Sequence, residues 1–158
     1  MWDGGFGMWV DGTGWVRIGE LLTEEKVVPE GYQSLEIYQI AHRLAIEIHK
    51  MTLTLPRHEM YEEGGQVRRS SKSVSAQIVE GYCLRKNKNE FLQYLHRAHA
   101  SAHETVEHLQ FLWETGSLTD KLQHEHLIEE YEILCRKIYR FLEAVHQSHG
   151  KPGFLRGT

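Results

Sequence analysis

Two short spacings along the chain bring together side chains that could bind a metal ion. His99 and His103 are four residues apart, which places both imidazoles on one face of a helix. Such a pair can hold zinc if a third ligand comes from another helix. Glu143 and His146 form the one Glu-x-x-His motif in the sequence, whereas a di-iron bundle needs two such motifs and two further glutamates. We therefore expect no cofactor, keep His99 and His103 as a weak metal candidate, and expect the histidines at the surface or between subunits.

Basic side chains that could contact phosphates are concentrated in the middle of the sequence. Residues 66–97 contain seven basic and two acidic residues, a charge of 7 − 2 = +5, although the whole chain carries −4. Residues 98–143 contain nine acidic and four basic residues, a charge of 4 − 9 = −5. A basic helix end can bind phosphates through charge-assisted hydrogen bonds and counterion release. The alternative is that these charges lie on solvated faces or in internal salt bridges. The candidate nucleic-acid contacts are Arg68, Lys72, Arg85, Lys86 and Lys88.

A second interpretation of the same segment is structural. Arg69, Glu80 and Glu104 could form a polar network between two helices, because a charge inside a bundle must be paired and hydrogen-bonded. We prefer this interpretation for the arginine pair. Catalysis has no comparable support, since the sequence lacks a Gly-x-Ser-x-Gly elbow, a Walker loop and a dinucleotide fingerprint. We expect that the protein is not an enzyme.

Apolar periodicity predicts four helices that must position these side chains. The first is predicted from an N-cap at Ser34 to residues 52–55, and the second from Pro56 or Arg57 to about Tyr82. The third begins at Asn87 or Asn89 and ends at Gly116, and the fourth begins near Thr119 or Asp120 and ends at residues 149–150. Short connections make sequential helices antiparallel, so the predicted fold class is all-α, an up-down-up-down four-helix bundle.

The N-terminal segment has a different composition from the rest. It holds half of the 14 glycines and three of the four tryptophans, and a short strand or hairpin is predicted around Trp15 to Ile18. The predicted organisation is therefore an irregular arm at residues 1–31, a bundle at 32–149 and a C-terminal coil at 150–158. No apolar run is long enough for a membrane span, and the start of the sequence does not look like a signal peptide. With two distant cysteines predicted to be free, we expect a cytoplasmic protein.

One stretch carries a family resemblance, QVRRSSKSVSAQIVEGY at residues 66–82, together with the NEFLQYL that starts at residue 89. It resembles the four-helix-bundle family of intervening-sequence proteins, which are encoded within insertions in bacterial large-subunit ribosomal RNA genes. The resemblance covers about residues 34–146. Lys72 departs from the family pattern, where an aliphatic residue is usual. The residues that match are Gln66, Arg68, Arg69, Glu80, Gly81, Phe91, Leu95, Ser101 and Glu104.

The resemblance implies a protein without catalytic activity that assembles into a homo-oligomeric ring, often a pentamer. It extends more distantly to the accessory variability proteins of diversity-generating retroelements, which bind a reverse transcriptase and nucleic acid. The leading hypothesis is accordingly a self-assembling interaction protein that uses exposed aromatics such as Tyr94, Phe111 and Trp113 between subunits. The alternatives are an accessory factor that binds RNA or DNA, with a reverse transcriptase as one possible partner, and a metal-binding bundle.

Overall fold

A computed structural model of the chain describes residues 7–10, 14–17, 31–152 and 155. Residues 1–30 and 31–158 form two separate compact units. In the first unit, Gly7–Val10 (β1) pairs antiparallel with Gly14–Arg17 (β2), and Trp9 lies opposite Trp15. Residues 15–17 of the segment predicted to form a strand or hairpin therefore lie in β2, and Ile18 lies outside the described residues. The remaining residues of the predicted arm, and the end of the predicted C-terminal coil, lie outside the described residues.

The second unit is a four-helix bundle, so the predicted all-α fold class is confirmed for this part of the chain. A 3₁₀ turn at Gly31–Ser34 leads into helix α1, Glu36–Thr52. The short helix α2, Arg57–Tyr61, precedes the long helices α3, Glu63–Cys83, α4, Lys88–Glu114, and α5, Lys121–Ser148. None of the described helices is both long enough and apolar enough to span a membrane.

The starts of α4 and α5 agree with the predicted boundaries, whereas the predicted cap of α1 does not. Asn87 accepts hydrogen bonds from the backbone N–H groups at the start of α4, and Asp120 does the same for α5. The predicted Ser34 cap is wrong, because Leu35 occupies the N-cap position of α1 without a side-chain bond. The Ser34 hydroxyl instead donates to the Gly31 carbonyl, 2.7 Å away, within the 3₁₀ turn.

The predicted second helix is divided into α2 and α3. The break lies at Glu62, whose φ of −85° and ψ of −95° are not helical. Across this break, a Cβ added to Gly64 would lie 2.8 Å from the Glu59 carbonyl oxygen of α2. Glycine at residue 64 therefore permits a close backbone approach that another residue would obstruct.

Side-chain contacts define the direction of the helices and the seam between α3 and α4. Thr105 of α4 lies 2.9 Å from Ser70 of α3, hydroxyl to hydroxyl, and Ser101 lies 3.2 Å from Ser73. The residue numbers rise on one helix as they fall on the other, so α3 and α4 run in opposite directions. At the far end of the seam, a Cβ on Gly81 would lie 2.9 Å from the Tyr94 Cβ. Small residues thus let the two helices approach closely.

The core of the bundle is formed by the apolar stripes of all four long helices. Phe91, Leu109, Leu127 and Tyr131 are among its largest fully buried side chains. Among the described residues, the buried polar side chains are hydroxyls except for His124, because a small hydroxyl can be satisfied by a backbone carbonyl of its own helix, as it is at Thr52, Ser70, Ser71 and Thr105.

Candidate functional site

The loop between α3 and α4, together with the first residue of α4, carries three of the five predicted nucleic-acid contacts, and two of these three are engaged within the bundle. The Lys88 ammonium donates to the His146 carbonyl, 2.6 Å away near the end of α5. Arg85 lies over the Tyr82 ring, 4.1 Å from its centroid, and donates to the Tyr82 carbonyl. His149 in turn donates from Nε2 to the Arg85 carbonyl, 2.7 Å away. The loop is therefore fastened to the C-terminal end of α5, where cations interact favourably with exposed carbonyls.

The other predicted nucleic-acid contacts do not belong to one surface. Arg68 is half-buried and donates to the Thr52 hydroxyl at 2.9 Å and to the Met60 carbonyl at 2.8 Å. It therefore joins α3 to the last residue of α1 and to α2, and these two bonds lie within the bundle. Lys72 is exposed on α3, about 20 Å along the helix from the loop at the usual rise per residue. Lys86 is exposed in the loop itself.

The predicted buried network of Arg69, Glu80 and Glu104 does not form within the chain. All three residues are exposed, and no ion pair joins them among the described residues. Glu104 instead lies 3.6 Å from Nε2 of His108, whose Nδ1 is 2.5 Å from a carboxylate oxygen of Glu63. The reason is geometric: the close α3–α4 seam has room for hydroxyl groups and none for long charged side chains.

The predicted histidine pair lies at a groove between α4 and α5. The imidazole centroids of His99 and His103 are 4.6 Å apart, and Tyr139 of α5 lies 6.1 Å from His99. Burial, and then the nearby His103 and His96, lower the pKa of His99, so its imidazole favours the neutral form. Within the described part of the chain, no three His, Cys, Asp or Glu side chains are placed to share a metal ion. The histidines remain a pair without a third ligand there.

This α4–α5 groove has a volume of about 400 Å³ and combines an apolar floor with a cationic rim. Cys135 is buried at its base, and burial raises the pKa of the thiol to about 11, which keeps it protonated and unreactive. Tyr139 is 51% exposed beside it. The rim carries two arginines from successive turns of α5. The residues that line the groove are His99, His103, Val106, Glu132, Cys135, Arg136, Tyr139 and Arg140.

An acidic corner lies at the end of the bundle where α2 meets α3 and α4. Its cavity has a volume of about 260 Å³ and is lined by Glu59, Glu62, Glu63, Phe111 and Thr115. Glu59 accepts a hydrogen bond from Ser117, and Glu63 is paired with His108. Glu62 is exposed, and no bond from its carboxylate occurs among the described residues. Phe111 is 50% exposed at this corner.

Of the three aromatic side chains predicted to lie between subunits, only one is exposed on the bundle. Phe111 is exposed, whereas Trp113 is half-buried and stacked on His124, with ring centroids 4.7 Å apart. Tyr94 is half-buried beside Gly81, and Arg97 lies 5.1 Å from its ring centroid. Tyr139 is also exposed and was not among the predicted aromatics, although its position between arginines and outside the apolar stripe of α5 indicates exposure.

The comparisons with known proteins agree with this architecture. Residues 33–140 match the family model described as 23S rRNA-intervening sequence protein. A crystal structure of a protein with unknown function from the S23 ribosomal protein family of Bacteroides thetaiotaomicron VPI-5482 is similar, with a TM-score of 0.62 and 20% sequence identity. The similarity covers 68% of this chain and 95% of that one, and at this identity it supports the fold alone. No curated protein matches the chain. Because the family model spans more than half of the sequence, including the stretch at residues 66–82, the chain belongs to the 23S rRNA-intervening sequence protein family.

Proposed function

We propose that the chain is a non-catalytic interaction protein that self-assembles into a homo-oligomeric ring of helical bundles, with five subunits as the expected number. The observation that carries the proposal is a set of large apolar side chains on the outside of a bundle whose core is already complete. Leu53, Tyr61, Phe111 and Leu122 are between 50% and 78% exposed. All four lie at the end of the bundle that contains α2 and the α4–α5 turn. Several exposed apolar side chains at one end are typical of a protein interface.

The expected ring size rests on the family resemblance, and the existence of the assembly rests on this apolar end. Light scattering on the full chain tests both, since a pentamer has five times the subunit mass of 18.4 kDa. The double substitution of Phe111→Ser with Leu122→Ser should weaken assembly, because it removes exposed apolar area that the interface would bury. Leu84→Ser is the matched control, since Leu84 is 39% exposed at the opposite end. A monomer mass for the unaltered chain at all concentrations would contradict the proposal.

The second candidate function is an accessory factor that binds RNA or DNA, for example at a ribosomal RNA insertion or with a reverse transcriptase. Residues 84–89 contain three basic side chains and no acidic one, and Lys86 is exposed where a phosphate could reach it. The family description, which refers to 23S rRNA, supports testing this candidate. The basic surface that remains open to a nucleic acid is small, because Arg68, Arg85 and Lys88 already bind groups of the bundle.

Filter binding to single-stranded RNA and DNA over a range of salt concentrations tests this candidate. Replacing Lys72→Ala and Lys86→Ala should weaken binding and reduce its salt dependence, by about 0.7 in the logarithmic slope for each phosphate that is no longer bound. The control is Lys50→Ala with Arg57→Ala, which removes two exposed charges from the other half of the bundle. Absence of binding at low salt would exclude the candidate.

A further inference from the structure

We propose that the α4–α5 groove is the docking site for the acidic corner of a second copy of this chain. The proposal rests on the self-assembly proposed above and assigns the two surfaces that meet. Phe111 of one copy would lie on the apolar floor of the groove beside Tyr139 of the next. The Glu62 carboxylate would pair with the arginines on the rim.

The groove has cationic groups that the bundle leaves available. No ion pair or hydrogen bond from Arg140 occurs among the described residues, and its side chain is exposed. Arg136 lies 3.9 Å from Glu132, and both side chains are more than half exposed. An exposed pair at that distance contributes little, so Arg136 can exchange this partner for another carboxylate. Tyr139 stands 51% exposed over the buried Cys135, so half of its surface is open to an incoming apolar side chain.

The acidic corner provides the complementary chemistry. Three glutamates line it, and Glu62 is the one whose carboxylate has no described partner. Phe111, at the edge of the same cavity, exposes half of its surface. An aromatic side chain flanked by carboxylates suits a groove with an apolar floor and an arginine rim, because the apolar contact and the charge pairing coincide.

The two surfaces lie at different places on the bundle, which determines the kind of contact. Phe111 is eight residues beyond His103 on α4, about 12 Å toward the end of the helix. A contact between two different patches is heterologous, and each copy then offers one free groove and one free corner. Repetition of such a contact closes into a ring when the rotation between subunits permits it.

A charge-reversed groove variant and a neutral corner variant test the assignment by light scattering. The groove variant is Arg136→Glu with Arg140→Glu, and the corner variant is Glu62→Gln with Phe111→Ser. Each alone should self-associate at least about tenfold more weakly than the unaltered chain, the first because like charges face each other in the contact and the second because the contact loses its aromatic side chain and its carboxylate. Mixed in equal amounts, the intact corner of the first meets the intact groove of the second. The mixture should therefore contain a dimer of twice 18.4 kDa and no ring.

The control for the groove variant has the same change of charge elsewhere, Lys50→Glu with Lys72→Glu, and should assemble like the unaltered chain, since both lysines are exposed outside the two surfaces. Circular dichroism establishes that each variant remains helical. A groove variant that assembles normally, or a mixture that contains no dimer, would overturn the docking assignment while self-assembly itself stands. If the unaltered chain is a monomer throughout, the proposed function and this assignment both fail.

Discussion

At the residue scale, His124 is the clearest case of a side chain whose surroundings determine its protonation. It is buried at the start of α5 and stacked on Trp113 with an interplanar angle of 13°. Its Nε2 atom has no hydrogen-bond partner among the described residues. Burial lowers the pKa of His124, and the Glu125 carboxylate opposes this by a smaller amount. The folded protein therefore holds a neutral imidazole.

This lowered pKa predicts a loss of stability in mild acid. Below a pH of about 6.5 the unfolded chain binds a proton at this histidine before the folded chain does, so the free energy of unfolding falls as pH falls. His124→Phe should lose less stability between pH 7.5 and 5.5 than the unaltered chain, by at most about 1.4 kcal/mol per pH unit. Urea unfolding at the two pH values measures the difference. His49→Phe, at an exposed histidine, is the control. Equal pH dependence in all three proteins would contradict the prediction.

The sequence identified the charged side chains but did not predict which groups each of them contacts in the folded protein. Arg68 and Arg69 are neighbours in the sequence, yet Arg68 binds Thr52 and the Met60 carbonyl while Arg69 is exposed. The acceptors for Arg68 lie in α1 and α2, 16 and 8 residues earlier in the sequence, and the break at Glu62 separates them from α3. Lys88 likewise has its partner on α5, 58 residues away in the sequence. Such contacts depend on tertiary structure, so the sequence could only provide the candidates.

At the scale of the elements, the close turn between α2 and α3 predicts opposite effects for two neighbouring glycines. A Cβ on Gly64 would lie 2.8 Å from the Glu59 carbonyl oxygen, which is backbone and cannot rotate away. A Cβ on Gly65 would have no neighbour nearer than 3.8 Å, and that neighbour is the flexible end of Arg69. Gly64→Ala should therefore destabilise the bundle, because α2 or α3 must shift to relieve the overlap.

Gly65→Ala is the matched variant and should stabilise the bundle by up to about 1 kcal/mol, since alanine favours helix over glycine. Thermal unfolding of the two variants beside the unaltered chain gives the comparison. Similar midpoints for both variants would show that the approach of α2 to α3 does not constrain this turn.

Helix boundaries were predictable where the determining chemistry is local. Asn87 and Asp120 cap their own helices through residues two or three positions on, so the side chain and its target are both visible in the sequence. Ser34 has the same residue type as many caps but bonds backward to Gly31, because the chain forms a 3₁₀ turn there. The break at Glu62 was missed because the Gly64-Gly65 pair weakens a helix without specifying where the chain turns.

At the scale of the whole molecule, opposite sides of the bundle are held together by different interactions. Hydroxyl groups and close backbones join α3 to α4. Between α1 and α5, opposite charges pair instead: Arg43 binds Glu130, and Lys137 lies 2.7 Å from Glu36. His126 also lies 3.0 Å from Glu47 across the same two helices. Along these pairs the residue numbers rise on α1 as they fall on α5, so the two helices run in opposite directions. The α1–α5 side should therefore respond to salt, and the α3–α4 side should not.

The salt response can be measured on one residue from each side. Arg43 binds both Glu47 and Glu130, so Arg43→Met should lower the free energy of unfolding by about 1 kcal/mol or less in low salt. The loss should shrink in 1 M NaCl, where the screening length is about 3 Å. Ser70→Ala removes a buried hydroxyl contact with Thr105 and should cost about 1 kcal/mol at either salt concentration.

Urea is the suitable denaturant because it adds no ions, and Lys50→Met controls for the loss of an exposed charge. A loss at Arg43 that is independent of salt would mean that its aliphatic stem, rather than its charge, holds α1 against α5.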